Sequence, residues 1–75
     1  MRKYNETEVN LLKIIQKNSR ITIDQMSETL YVSRSVVTKY LKRFYEEDLL
    51  ILIGEKNANY QRILTNKGRL LLTKV

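Results

Sequence analysis

Apolar residues recur at helical spacing in two neighbouring stretches in the middle of the chain. The first stretch begins at Thr22, an N-cap residue, and its Met26 and Leu30 lie four positions apart on one helix face. The second begins at Ser33, another N-cap residue, and runs to Glu47. Because only two residues separate these stretches, the helices must cross steeply. The pattern predicts two short helices joined by a tight turn.

The later of these two helices has one apolar and one polar side. Val37, Leu41 and Phe44 repeat at intervals of four and three, which predicts the buried stripe. The outward side carries basic and small polar residues, as expected of a helix whose N-terminal residues enter the major groove of DNA. An ordinary solvated helix face has the same composition, so both interpretations stay open. The candidate DNA contacts are Ser33, Arg34, Ser35, Thr38, Lys39, Lys42 and Arg43.

An earlier helix is predicted from Asn5 to about Lys17. Asn5 and Glu8 have the spacing of a capping box, in which each side chain accepts from the backbone N–H of the other residue. The apolar side of this helix is too broad for one small neighbour, so part of it is expected to face a second protomer. Beyond the helix, the residues near Arg20–Thr22 are extended enough to form a short strand.

Two β-compatible runs follow the helices. Leu49–Ile53 is continuously apolar, Tyr60–Leu64 alternates, and the residues Glu55–Asn59 between them are polar or small. This order predicts a β-hairpin. The asparagines between the runs suit turn geometry, and they also suit contact with the DNA backbone or minor groove. The candidate DNA contacts on the hairpin are Lys56, Asn57, Asn59 and Arg62.

A last short helix is predicted to begin after the N-cap residue Thr65. The apolar residues of this helix lie on more than one of its sides. Only one side can pack against the domain, so part of the apolar surface would remain exposed in a monomer. This arrangement favours self-association, although leucines that simply close a small core would give the same pattern. The candidate dimerisation residues are Leu70, Leu71 and Val75.

The segment Arg20–Ser33, RITIDQMSETLYVS, resembles the helix-turn-helix of MarR-like and Lrp/AsnC-like transcription regulators. Residues 64–68, LTNKG, are similar to the segment that follows the hairpin in MarR-like proteins. The resemblance implies an α+β winged helix-turn-helix fold, with three helices, a two-stranded hairpin as the wing and a short C-terminal helix. It also implies that the exposed residues of the helix Ser33–Glu47 contact DNA.

Tyr31 departs from the pattern of these families, which usually have glycine at this position of the turn. If the backbone there is left-handed, a tyrosine costs about 1 kcal/mol or more. We expect Tyr31 to be a partly exposed aromatic residue that covers the helix pair.

Composition and charge narrow the function further. A net charge of +6 in 75 residues favours a polyanionic partner, nucleic acid before membrane. Acidic residues gather in small groups. Glu46, Glu47 and Asp48 are expected to form a solvated helix end, and the alternatives are that they keep this end away from the DNA backbone or pair with Arg20. The absence of Cys and His removes disulfides, zinc fingers and Ser-His-Asp triads, so no metal or cofactor is expected.

Other classes of protein are disfavoured. No apolar run approaches the ~18 residues that span a bilayer, and no signal peptide precedes the folded pattern, so we expect a cytoplasmic protein. No pair of acids, and no nucleophile with a base, stands at a useful spacing for catalysis. An enzyme is therefore not expected.

Together these observations predict that residues 1–75 form a single domain that binds double-stranded DNA sequence-selectively as a homodimer. The helix Ser33–Glu47 would enter the major groove and the wing Glu55–Asn59 would follow the backbone or minor groove. The expected role is transcription regulation, as an autoregulatory repressor, without a small-molecule effector. Two alternatives are a DNA-coating architectural protein without sequence preference and a winged-helix protein-interaction module.

Overall fold

The computed structural model describes residues 4–54 and 60–74. The predicted order of three helices, a hairpin and a last helix is confirmed. Residues Lys56, Asn57, Asn59 and Val75, which carry predicted contacts, lie outside the described residues. No helix in the described part is long and apolar enough to cross a membrane. The elements in chain order are α1 Glu6–Lys17, α2 Ile23–Leu30, α3 Arg34–Glu46, β1 Leu50–Ile53, β2 Gln61–Leu64 and α4 Asn66–Thr73.

Each helix begins at a side chain that accepts a hydrogen bond from the first turn. In α1 the Asn5 side chain accepts from the Glu8 N–H at 2.8 Å, and Glu8 accepts from the Asn5 N–H at 3.1 Å. Thr22 and Gln25 form the same reciprocal pair at the start of α2. The capping box predicted at Asn5 and the N-caps predicted at Thr22, Ser33 and Thr65 are therefore confirmed, and Thr22 also forms a capping box. The four N-cap residues are Asn5, Thr22, Ser33 and Thr65.

The hydrophobic core lies where α1, α2 and α3 meet the base of the hairpin. Phe44 of α3 is fully buried at its centre, and the predicted stripe of α3 faces inward. Burying one such side chain stabilises the fold by about 1.5–3 kcal/mol. In α4, by contrast, Leu71 and Leu72 are only partly buried against this cluster. The buried apolar residues are Leu11, Leu12, Ile15, Ile21, Met26, Val37, Leu41, Phe44, Leu49, Leu50 and Leu64.

The hairpin is a two-stranded antiparallel sheet in which Leu50 pairs with Leu64 and Ile53 with Gln61. The short strand expected near Arg20–Thr22 does not form, and that prediction is wrong. The Ile21 N–H donates to the Asn18 carbonyl at 3.2 Å, and Thr22 already caps α2, so these groups are engaged locally and do not form a ladder with β2. Among the described residues, one backbone–backbone hydrogen bond joins this segment to β2, from the Arg62 N–H to the Ser19 carbonyl at 2.8 Å.

Tyr31 ends α2 in a left-handed conformation, with φ 57° and ψ 40°. Its side chain does not cover the helix pair, because the residue is 94 % exposed. The expectation of a covering aromatic residue is therefore wrong. The left-handed backbone directs Tyr31 to solvent, and its neighbours Leu30 and Val32 pack against the core instead.

Candidate nucleic-acid interface

The outward side of α3 forms a continuous polar surface. Since Val37, Leu41 and Phe44 are buried, the helical period leaves the opposite side open to solvent. Six of the seven DNA contacts predicted on this helix are exposed to solvent. We call these six residues the α3 face. They are Ser33, Arg34, Ser35, Thr38, Lys39 and Lys42.

The α3 face carries three cations and no carboxylate of its own. Two of its hydroxyls already take part in local hydrogen bonds. Ser33 accepts from the Val36 N–H at 3.2 Å, and Thr38 donates to the Arg34 carbonyl at 2.9 Å. A hydroxyl can both donate and accept, so both groups can still bond a ligand. The surface thus offers positive charge together with small hydrogen-bonding groups.

Arg34 is the one residue of the α3 face that has an ion-pair partner among the described residues. Its Nε atom lies 2.9 Å from Oδ1 of Asp24 in the first turn of α2. Both side chains are largely exposed, so the pair stabilises the fold by no more than about 1 kcal/mol. A carboxylate that neutralises Arg34 in the free protein competes with any anion that binds there.

A cleft of about 330 Å³ lies beside Arg34, between the start of α2, the start of α3 and strand β2. Three arginines line it, Arg20, Arg34 and Arg62, together with Tyr60 and a single acidic residue, Asp24. Sequence reasoning did not select Arg20 or Tyr60. The available signal was that Arg20 stands two residues before the N-cap of α2, whose first turn faces the start of α3.

Arg62 has a bracing role that the sequence did not indicate. Its Nε donates to the Tyr45 hydroxyl at 3.2 Å, and its Nη1 donates to the Ile21 carbonyl at 3.3 Å. These bonds fasten β2 to α3 and to the segment before α2. Contact between Arg62 and DNA stays a prediction, and it must be compatible with this bracing.

Arg43 does not belong to the α3 face, contrary to the sequence interpretation. Its Nη1 pairs with Glu8, its Nε donates to Glu47 at 2.8 Å, and its guanidinium lies 4.5 Å from the centre of the Tyr4 ring. The hydrogen bond to Glu47 is the main cause that raises the pKa of Arg43 above its ordinary value. We therefore remove Arg43 from the candidate DNA contacts, since its charge is engaged by the N-terminal end of α1.

The same cluster corrects the expectation for the end of α3. Glu47 is not a solvated carboxylate, because it binds Arg43 and accepts a hydrogen bond from the Tyr4 hydroxyl. Asp48 and Glu46 are exposed as expected. Glu47 is thus the acidic side chain of this group that stabilises the fold, through Arg43 and through Tyr4 just before α1.

Apolar surface is exposed on two elements. Leu70 of α4 is 59 % exposed, and with Tyr4, Leu49 and Leu71 it lines a groove of about 430 Å³. The second element is β1, whose Ile51, Leu52 and Ile53 are each close to half exposed. The sequence indicated the first surface but not the second, because a continuous apolar run is typical of a strand that is buried on both sides.

Comparison with known proteins gives a family match. The family model for winged helix-turn-helix DNA-binding domains matches residues 4–51, which include all of α1, α2 and α3. No curated protein matches the chain in sequence. The family match agrees with the resemblance found in the sequence.

Solved structures of similar fold include a transcriptional regulator, a MarR family member and a protein in complex with DNA. The chain resembles Mycobacterium tuberculosis MosR, at 22 % identity and TM-score 0.80, over 95 % of this chain and 52 % of that one. It resembles Lactococcus lactis ZitR, a zinc-responsive MarR family member, at 26 % identity and TM-score 0.78, over 96 % and 51 %. Streptococcus pneumoniae FabT in complex with DNA is similar at 23 % identity and TM-score 0.79, over 96 % and 52 %. The chain thus spans about half the length of each.

Proposed function

This chain belongs to the winged helix-turn-helix DNA-binding family, and on that basis we propose that it binds double-stranded DNA sequence-selectively and regulates transcription. The observation that carries the proposal is the α3 face, an exposed helix side with three cations and no acid. An α-helix fits the major groove of B-DNA, where each base pair presents a distinct pattern of donors and acceptors. The similar fold of FabT, solved in complex with DNA, supports this assignment.

In the proposed complex the α3 face enters the major groove and the wing follows the adjacent backbone or minor groove. The wing residues Lys56, Asn57 and Asn59 keep their predicted role as contacts there. Occupancy of a promoter would exclude other proteins, so the expected role is that of a repressor. The proposal includes a cytoplasmic, DNA-associated protein that performs no catalysis and needs no small-molecule effector.

We propose that the chain dimerises through the exposed side of α4. Leu70 and Leu71 line the groove beside Tyr4 and Leu49, and burial of this apolar surface would favour a second copy. Two protomers would then occupy half-sites about one helical turn, ~34 Å, apart. Val75 is a further candidate for this contact.

The proposed function predicts that the protein prefers the duplex upstream of its own gene over a scrambled duplex of equal length. Both would be titrated at moderate salt, with the number of bound protomers recorded. Lys39→Ala should weaken binding to the preferred duplex by about tenfold, because Lys39 lies on the α3 face. Lys13→Ala is the matched control, since it removes the same charge from an exposed position on α1.

Three results would contradict this proposal. Equal binding to both duplexes would indicate an architectural protein without sequence preference. Binding to neither would favour the protein-interaction module. A Lys13→Ala variant that loses as much affinity as Lys39→Ala would mean that net charge alone explains binding.

The affinity for DNA should also fall as the salt concentration rises. A plot of the logarithm of the binding constant against the logarithm of the salt concentration should have a slope near −0.9 for each phosphate contact.

The ion pair of Arg34 gives a second prediction about DNA binding. Asp24→Ala should raise affinity for any duplex by about threefold to tenfold at low salt, because it removes a charge that repels phosphate and releases Arg34. Glu28→Ala is the control, as Glu28 is exposed on the same helix and has no ion pair in the described part of the chain. If the two variants gain affinity equally, the pair with Arg34 has no specific role.

A further inference from the structure

The turn between α2 and α3 presents Tyr31 to solvent in a conformation that tyrosine rarely adopts. The backbone is left-handed at φ 57°, where the Cβ atom is sterically disfavoured. The residue is also 94 % exposed, so its ring gains almost no packing in the free protein that could offset this strain. Strained residues concentrate at functional sites. A strained aromatic residue that contributes almost no packing to the fold points to a contact outside the fold.

Hydrogen bonds on both sides of Tyr31 fix its backbone. The N–H groups of Tyr31 and Val32 both donate to the Ser27 carbonyl, the latter at 3.2 Å. The Ser27 hydroxyl donates back to the Val32 carbonyl at 2.5 Å. Since Leu30 and Val32 pack against the core, the side chain of Tyr31 projects from a fixed base. Binding through such a base loses little backbone entropy.

Tyr31 lies next to the surface that is proposed to bind DNA. It lies two residues before Ser33, the N-cap of α3 and the first residue of the α3 face. Two residues span at most about 7 Å, whereas the major groove is about 12 Å wide. When the first turn of α3 enters the major groove, the turn between α2 and α3 therefore lies at the rim of the groove, at the level of the backbone phosphates.

We propose that the Tyr31 hydroxyl donates a hydrogen bond to a backbone phosphate at the rim of the major groove. This inference rests on the function proposed above and adds a contact that the α3 face does not include. Tyrosine is among the side chains that bind phosphate oxygens, and such contacts position a protein without reading sequence. A neutral hydroxyl releases no counterions, so the contact adds affinity without adding salt dependence.

Two variants of the full chain test this contact on the two duplexes described above. Tyr31→Phe removes the hydroxyl alone and should weaken binding to both duplexes by about fivefold, which leaves their ratio unchanged. Its salt slope should equal that of the wild type, whereas Lys39→Ala should reduce the slope by about one. Tyr31→Gly should bind at least as weakly, yet its Tm should rise by about 2–5 °C because the strain is relieved.

Asp48 provides the matched control. It is the other described residue apart from glycine with a positive φ, at 60°, and it is exposed beyond the opposite end of α3. Asp48→Gly should also stabilise the fold, but without any loss of affinity for DNA. Of the two positions, only Tyr31 is therefore expected to give a glycine variant that is more stable and also binds DNA more weakly.

The outcomes separate this inference from the proposed function. If the wild type binds DNA and Tyr31→Phe binds equally well, the phosphate contact is overturned while the function stands. If Tyr31→Gly lowers Tm, the ring supports the fold and the inference is wrong. If Tyr31→Phe instead changes the number of bound protomers, Tyr31 contacts protein and not DNA. A wild type that binds neither duplex overturns the function and this contact together.

Discussion

Replacement of Arg43 by methionine is expected to lower the free energy of unfolding by about 3–5 kcal/mol. Glu8 is only 2 % exposed, and Arg43 is the cation that binds its carboxylate. Removing the guanidinium leaves a negative charge in a largely dry site and also removes the stacking on Tyr4. A domain of this size has a stability of roughly 5–10 kcal/mol, so much of it would be lost.

Urea unfolding followed by circular dichroism would measure this effect. Lys39→Met is the control, because it removes a cation from an exposed position of the same helix and should change stability by less than about 0.5 kcal/mol. The double variant Glu8→Gln with Arg43→Met should recover a large part of the loss, since it no longer buries a charge. A loss below about 1 kcal/mol for Arg43→Met would mean that the pair behaves as an ordinary surface ion pair.

Replacement of Gly68 by alanine is expected to lower the free energy of unfolding by about 2–3 kcal/mol. Gly68 is buried in the first turn of α4, and a Cβ atom there would lie 2.5 Å from the carbonyl oxygen of Leu49. That oxygen is backbone and accepts from the Thr65 N–H at 3.0 Å, so it cannot move aside cheaply. The helix must then shift away from Leu49 and the hairpin. The free-energy cost of this shift outweighs the better helix propensity of alanine.

The same unfolding measurement, together with sedimentation, would check this result. Arg69→Ala, at the neighbouring exposed position of α4, should leave stability within about 0.5 kcal/mol of the wild type. If α4 is also the dimer contact, Gly68→Ala should weaken self-association while Arg69→Ala should not. Unchanged stability of the alanine variant would show that α4 can separate from Leu49 at little cost.

The helices and the α3 face could be predicted because their causes are local. An N-cap such as Thr22 acts on a residue three positions away, and the period of α3 fixes which side is buried. The error at Arg43 has a non-local cause, because its partner Glu8 is 35 positions away. Helical spacing places Arg43 one step from Lys42 and gives no sign of that partner.

Two further features of the site depend on contacts that no short pattern encodes. The cleft with Arg20 exists because β2 returns beside the start of α2, and Arg62 is held there by Tyr45 and Ile21. The expectation for Tyr31 fails for a different reason. An aromatic ring usually covers neighbouring apolar surface, but the left-handed turn directs this ring to solvent.

Helix α4 packs less deeply against the core than α1 and α3, so it is expected to open before the rest of the molecule unfolds. Leu71 and Leu72 are only partly buried, whereas α1 and α3 supply most of the fully buried side chains. Local opening of α4 therefore requires less free energy than global unfolding, so its amide hydrogens would exchange with solvent first. If a second protomer covers Leu70, dimerisation stabilises the folded form of α4. The fraction of time that α4 is open then falls as the protein concentration rises.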